Sequence, residues 1–139
     1  MRYFAIIDTN VLVSAMLKPI SVPATVLQMA FGGIIVPVFN ERILREYRKV
    51  LLRQKFNFDV DEVDNVLTRL FNVGIYIEGE SVDIPLPDEK DRVFYEVVMD
   101  IRKDEESYLV TGNIKHFPAE PFVVTPRQML DIILADNNE

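Results

Sequence analysis

Apolar residues recur along this chain with two periods, and the alternation between them predicts the fold. Residues 3 to 7, YFAII, form a short unbroken apolar run ending at Asp8, as a buried parallel strand would, and IIVPVF before Asn40 repeats the pattern. Helical spacing follows the first run, with Val11, Leu12, Ala15 and Met16 before Pro19, then Val26, Leu27, Ala30 and Phe31 before Gly32 and Gly33. Asn40 is predicted to cap a helix over about 41–53. Asp59, with Glu62 three residues on, resembles a capping box opening a helix whose apolar face carries Val63, Val66, Leu67, Leu70 and Phe71. IYI after Gly74 reads as a strand, 78–87 as an exposed connection, and about 89–102 as a helix with Val93, Phe94, Val97, Val98 and Ile101 on one side. SYLVT and FVVT read as strands, and Thr125 and Pro126 with Gln128 open a last helix. Strands alternating with helices imply a three-layer α/β/α fold with a central parallel β-sheet. In such sheets ligands gather at the carboxyl ends of strands, where Asp8 and the turn Thr111-Gly112-Asn113 lie.

At 139 residues the chain is expected to form one domain over 1–139, with no internal repeat or linker to divide it. A 49% hydrophobic and 27% charged composition is that of a globular chain. Cysteine is absent, so disulfides and thiolate metal sites are excluded, and any metal must bind through oxygen or His116. The first apolar run is too short for a signal peptide or membrane span, and no later run approaches 18 residues. A soluble, cytoplasmic protein with no membrane partner is the expectation. The net charge of -7 argues against a broad basic face gripping nucleic acid. That objection weakens if several acids converge on a cation, which then supplies local positive charge and brings phosphate with it.

Several residues could carry such chemistry, and each has an ordinary structural alternative. Asp8, where strand hands over to helix, either points into the crevice or caps the following helix. Glu46 falls about 40° beyond Val50 on the edge of the apolar face of its helix. Arg42, Lys49 and Arg53 cluster just outside it, with Arg45 nearby, which suits a metal ligand with phosphate-contacting neighbours or an ordinary surface helix of ion pairs. Asp88 and Asp91 open a helix, where acids at N-cap and N3 are favoured by unpaired amides and the helix dipole. Asn113, after Gly112, either faces the crevice of Asp8, where its carbonyl oxygen could coordinate a hard cation, or stabilises a turn. His116 alone is weak evidence for a site and reads as a structural loop residue.

The order of these signals is more specific than any of them singly. IIDTNVLVSAML, then a glutamate in a central helix, then KDRVFYEVV and SYLVTGNIKHFP, resembles the PIN-domain family over nearly the whole chain. The resemblance implies Mg2+- or Mn2+-dependent cleavage of RNA, with Asp8, Glu46 and Asp91 matching the three metal-binding acids. Asn10 matches the polar residue supporting the first acid, with Thr111 beside it, and Asp88 is a further candidate ligand. The family's fourth acidic position falls on Asn113, a departure that removes a charge. Many bacterial members are toxins of toxin–antitoxin pairs, so the expected partners are RNA, an antitoxin protein and further copies of this chain.

Two other classes compete. One is a phosphatase using Asp8 as nucleophile, against which stands Asn10 where a second acid is expected two residues on. The other is a PIN-like module that has lost catalysis through Asn113 and only binds protein or RNA.

Overall fold

The computed structural model describes residues 2–137. Residues 1, 138 and 139 of the expected single unit lie outside it. Five strands form one sheet: β1 (Tyr3–Ile7), β2 (Ile35–Phe39), β3 (Ile75–Tyr76), β4 (Ser107–Val110) and β5 (Val123–Val124). The spatial order is β3-β2-β1-β4-β5, and every neighbouring pair is parallel. Six α-helices flank it: α1 (Thr9–Leu17), α2 (Val22–Phe31), α3 (Glu41–Leu51), α4 (Val60–Val73), α5 (Arg92–Ile101) and α6 (Pro126–Asn137). This is the three-layer α/β/α arrangement with a central parallel sheet that the alternating periods predict.

β2 is buried at all five positions, and in β1 only Phe4 is partly exposed, as strands covered on both faces require. α2 packs on β2 and against α1 and α6, while α5 packs on β1, β2 and β4 and against α3. Among the described residues no single helix is long and apolar enough to cross a membrane.

The helix starts obey local chemistry unevenly. Asn40 Oδ1 accepts the Ile43 amide at 2.9 Å, the N-cap bond expected of it. Asp59 stands at the start of α4 but makes no side-chain cap bond, so the capping box read with Glu62 does not form. The reciprocal box belongs to α6, where Thr125 Oγ1 accepts the Gln128 amide and Gln128 Oε1 accepts the Thr125 amide. α3 ends at Leu51 rather than 53. Arg53 is extended (φ -61°, ψ 135°) and leads into a 3-10 turn, Gln54–Phe56, that closes through Asn57 in the left-handed region at φ 55°. α5 likewise begins later than expected, a 3-10 turn over Glu89–Asp91 preceding it.

Candidate active site

β1 lies at the middle of the sheet with β2 on one side and β4 on the other, so a crevice opens beyond its carboxyl end, where the connections diverge. Asp8 sits at that point and is only 5% exposed. It precedes α1 yet makes no side-chain cap bond to it. Its Oδ2 instead accepts the Thr111 hydroxyl at 2.8 Å, from the end of β4, and lies 3.4 Å from Asn10 Nδ2. Asn10 Oδ1 in turn accepts the Gly112 amide at 3.0 Å. A Cβ at position 112 would stand 3.2 Å from Asn10 Oδ1, so the absence of a side chain at Gly112 lets the two come together without displacing the Asn10 amide by a few tenths of an ångström. Burial pushes the Asp8 carboxyl up to about 6, the Thr111 hydroxyl opposing the shift and the Asp91 charge adding to it.

Glu46 is delivered by α3, whose register against β1 is set next door. The Tyr47 hydroxyl, fully buried, donates to the Ile7 carbonyl at 2.5 Å, one residue before Asp8. The Tyr47 ring lies 6.2 Å from that of Phe94 on α5, so one side chain ties α3 to both the strand and the next helix.

The two acids at the start of α5 divide their duties. Asp88 is exposed, and its Oδ1 accepts the Lys90 amide at 3.0 Å as a cap. Asp91 makes no cap bond, and its side chain is 14% exposed. Its Oδ2 is buried without a hydrogen bond, and His116 Nδ1 lies 3.3 Å from it. Burial pushes the Asp91 carboxyl up, His116 opposes this, and the charges of Asp88 and Glu46 reinforce it.

Asp8, Glu46, Asp88, Asp91 and His116 line one cavity of about 330 Å³, its floor including Val50 and Phe94 and its rim Arg53 and Lys90. Among the described residues no three acidic or histidine side chains close on a common point. The donor set nevertheless suits a hard divalent cation: several carboxylates share the cavity, and two of its lining residues, Asp91 and Thr9, each hold a buried oxygen with no hydrogen-bond partner.

Other sequence candidates are placed differently. Asn113 is exposed, its side-chain amide nitrogen lies 2.9 Å from His116 Nε2, and it does not line the cavity of Asp8. His116, read from sequence as a structural loop residue, stands at the cavity wall; a His three residues after a strand-end Asn was the available signal. Of the basic stripe, only Arg53 reaches the acidic cavity, because it has left the helix on which the stripe was plotted. Arg42 lines a neighbouring polar cavity of about 540 Å³ with Arg45 and Arg92, and Lys49 is exposed. Lys90 at the rim was missed, since a lone lysine among acids carries no periodic signal.

A PIN domain family model matches residues 5–115. An uncharacterized protein of Methanocaldococcus jannaschii is 26% identical, the match covering 91% of this chain and 88% of that protein. No solved structure matches the chain. The family match spans β1 through the turn after β4, and so includes all four cavity carboxylates. The chain belongs to the PIN-domain family, whose members are generally metal-dependent nucleases.

Proposed function

We propose that this protein is an endoribonuclease dependent on Mg2+ or Mn2+, with Asp8, Glu46 and Asp91 holding the cation and Asp88 within reach of it. One observation carries the reading. Asp8 and Asp91 both stand where an acid ordinarily caps a helix, both are largely buried, and neither caps. Burying a carboxylate costs several kcal/mol unless a counter-charge compensates it. Asp88, which does cap, is exposed and marks what the ordinary arrangement looks like.

A divalent cation held by these carboxylates would supply Lewis-acid activation of water for phosphodiester hydrolysis. The chain's residues do the rest. Thr111 and Asn10 hold the Asp8 carboxylate in one orientation. Tyr47 fixes α3 against β1 and thereby the reach of Glu46. Arg53 and Lys90, which line the cavity, offer charge-assisted bonds to the phosphates flanking the cleaved bond, and Arg42 in the neighbouring polar cavity and the exposed Lys49 add positive charge on α3. Family likeness extends the reading to a toxin held in check by an antitoxin protein.

Purified protein should cleave single-stranded RNA with Mg2+ or Mn2+ and stop when a chelator is added. Cleavage undiminished by chelation would refute the metal site, and metal-dependent RNA binding without cleavage would favour the pure binding module. Expression should arrest growth, and the antitoxin should relieve it; a chain with no effect on growth would remove the toxin role.

A further inference from the structure

We propose that His116 is itself a ligand of the divalent cation, binding through Nδ1, and that Asn113 is the positioning residue that frees that nitrogen to do so. The inference rests on the cavity being a cation site and adds to it a nitrogen donor in a shell otherwise made of carboxylates.

Three observations carry it. His116 Nδ1 lies 3.3 Å from Asp91 Oδ2, which is buried and makes no hydrogen bond. Two donors at that separation are spaced as neighbours in one coordination shell, since ligands about 2.1 Å from an octahedral ion stand about 3.0 Å from each other. Second, His116 Nε2 meets the Asn113 side-chain amide at 2.9 Å. The atom nearest the ring is Asn113 Nδ2, which as placed donates to Nε2. The oxygen and nitrogen of an amide are interchangeable by a half-turn, and that half-turn brings the oxygen to the ring, where Nε2–H donates to it. The imidazole proton is then held on Nε2, leaving the Nδ1 lone pair directed at the cavity. A histidine ligand oriented by a carbonyl on its other nitrogen is how such side chains are normally fixed. Third, Asn113 does not line the cavity with Asp8, so at the position where the resemblance anticipates a fourth acid the chain carries a residue engaged with the imidazole instead.

The chemical consequence is metal preference. Carboxylates and water suit Mg2+ and Mn2+ alike, whereas an imidazole nitrogen adds affinity for first-row transition ions, of which Mn2+ is the weakest-binding, and not for Mg2+. Mn2+ is therefore the better-fitting ion of the two.

This chain has one histidine and no cysteine, which makes the test unambiguous. The full chain, without a polyhistidine tag, is loaded with Mn2+ and examined by pulsed electron paramagnetic resonance. The expected result is the 14N modulation of a directly bound imidazole, lost in His116→Gln while Mn2+ remains bound. By calorimetry His116→Gln should weaken Mn2+ about tenfold and Mg2+ far less. Asn113→Ala should weaken Mn2+ by a similar factor, on the order of 10-fold, and Asn113→Asp should restore it, because a carboxylate also accepts the Nε2 proton. Bound Mn2+ without 14N modulation would overturn the ligand role of His116 and leave the carboxylate site standing. Failure of the wild-type chain to bind Mn2+ at millimolar concentration would overturn both readings together.

Discussion

Asp8→Asn removes a charge from the most deeply buried carboxylate in the cavity while keeping its shape, and the structure sets the size of the effect. The Asp8 carboxyl rises from its ordinary 3.8 to about 6, chiefly through burial, with the Asp91 charge contributing. At 1.36 kcal/mol per tenfold change in proton affinity, ionised Asp8 costs the folded state about 3 kcal/mol. Between about pH 4 and 6 the folded protein keeps this proton while the unfolded chain gives it up, so stability falls as pH rises through that window and levels off above it. Asparagine does not ionise, and its side-chain oxygen still accepts from Thr111. In chelator the mutant should match wild type near pH 4 and exceed it by about 3 kcal/mol at pH 8, or about 10 °C in melting temperature for a chain of this length. A divalent cation narrows the gap. At ten times its dissociation constant it stabilises wild type by about 1.4 kcal/mol, and the mutant, short of one anionic ligand, by less. The assay is thermal unfolding of both proteins at several pH values, with chelator and with excess Mg2+. An Asp8→Asn protein melting below wild type at pH 8 in chelator, or a gap that does not change between pH 4 and 8, would refute this account.

Three further outcomes follow from neighbouring geometry. Asp91→Asn should leave the metal-free protein at least as stable as wild type and lower RNA cleavage by orders of magnitude, whereas Asp88→Ala should cost about 0.5–2 kcal/mol through the lost cap, both read from melts and a cleavage assay. Tyr47→Phe strips the Ile7 carbonyl of a buried donor and should cost about 1–3 kcal/mol in denaturant unfolding; a loss below 0.5 kcal/mol would mean the carbonyl finds another partner. Neutralising Arg53 and Lys90 together should flatten the salt dependence of RNA binding by up to about two phosphate contacts, and neutralising Lys49 should flatten it less.

The fold was legible because its signal is redundant. A buried parallel strand such as IIVPVF needs no special turn, and helices with wide apolar faces like α4 and α5 announce themselves several times over. The two-residue strands β3 and β5 are shorter than their apolar runs, since pairing at a sheet edge ends where the neighbour's hydrogen bonds end. Local rules misled where two partners were available. Asp59 and Glu62 have capping-box spacing, yet the box is not made. Arg53 was plotted on a helix that stops at Leu51, so its approach to the cavity depends on a turn that helical geometry cannot foresee. The acids that line the cavity stand out by their order along the chain, but which of them caps a helix does not. Capping and ligation ask for the same residue at the same place, and only burial and hydrogen bonding distinguish Asp88 from Asp91. His116 was discounted for being alone, a statistical judgement that holds no information about the Asp91 oxygen facing it.

The hydrogen bond between Thr111 and Asp8 joins residues 103 positions apart, and the cavity draws on side chains from 8 to 116. A ribosome adding ~5–20 residues per second needs roughly 5 to 20 s to bridge that interval. Until β4 has emerged and docked beside β1, Asp8 has neither its partner nor its burial, and no fragment lacking the last quarter of the chain contains the pocket. The pocket is thus timed by topology: it is completed only when the sheet closes on its middle strand.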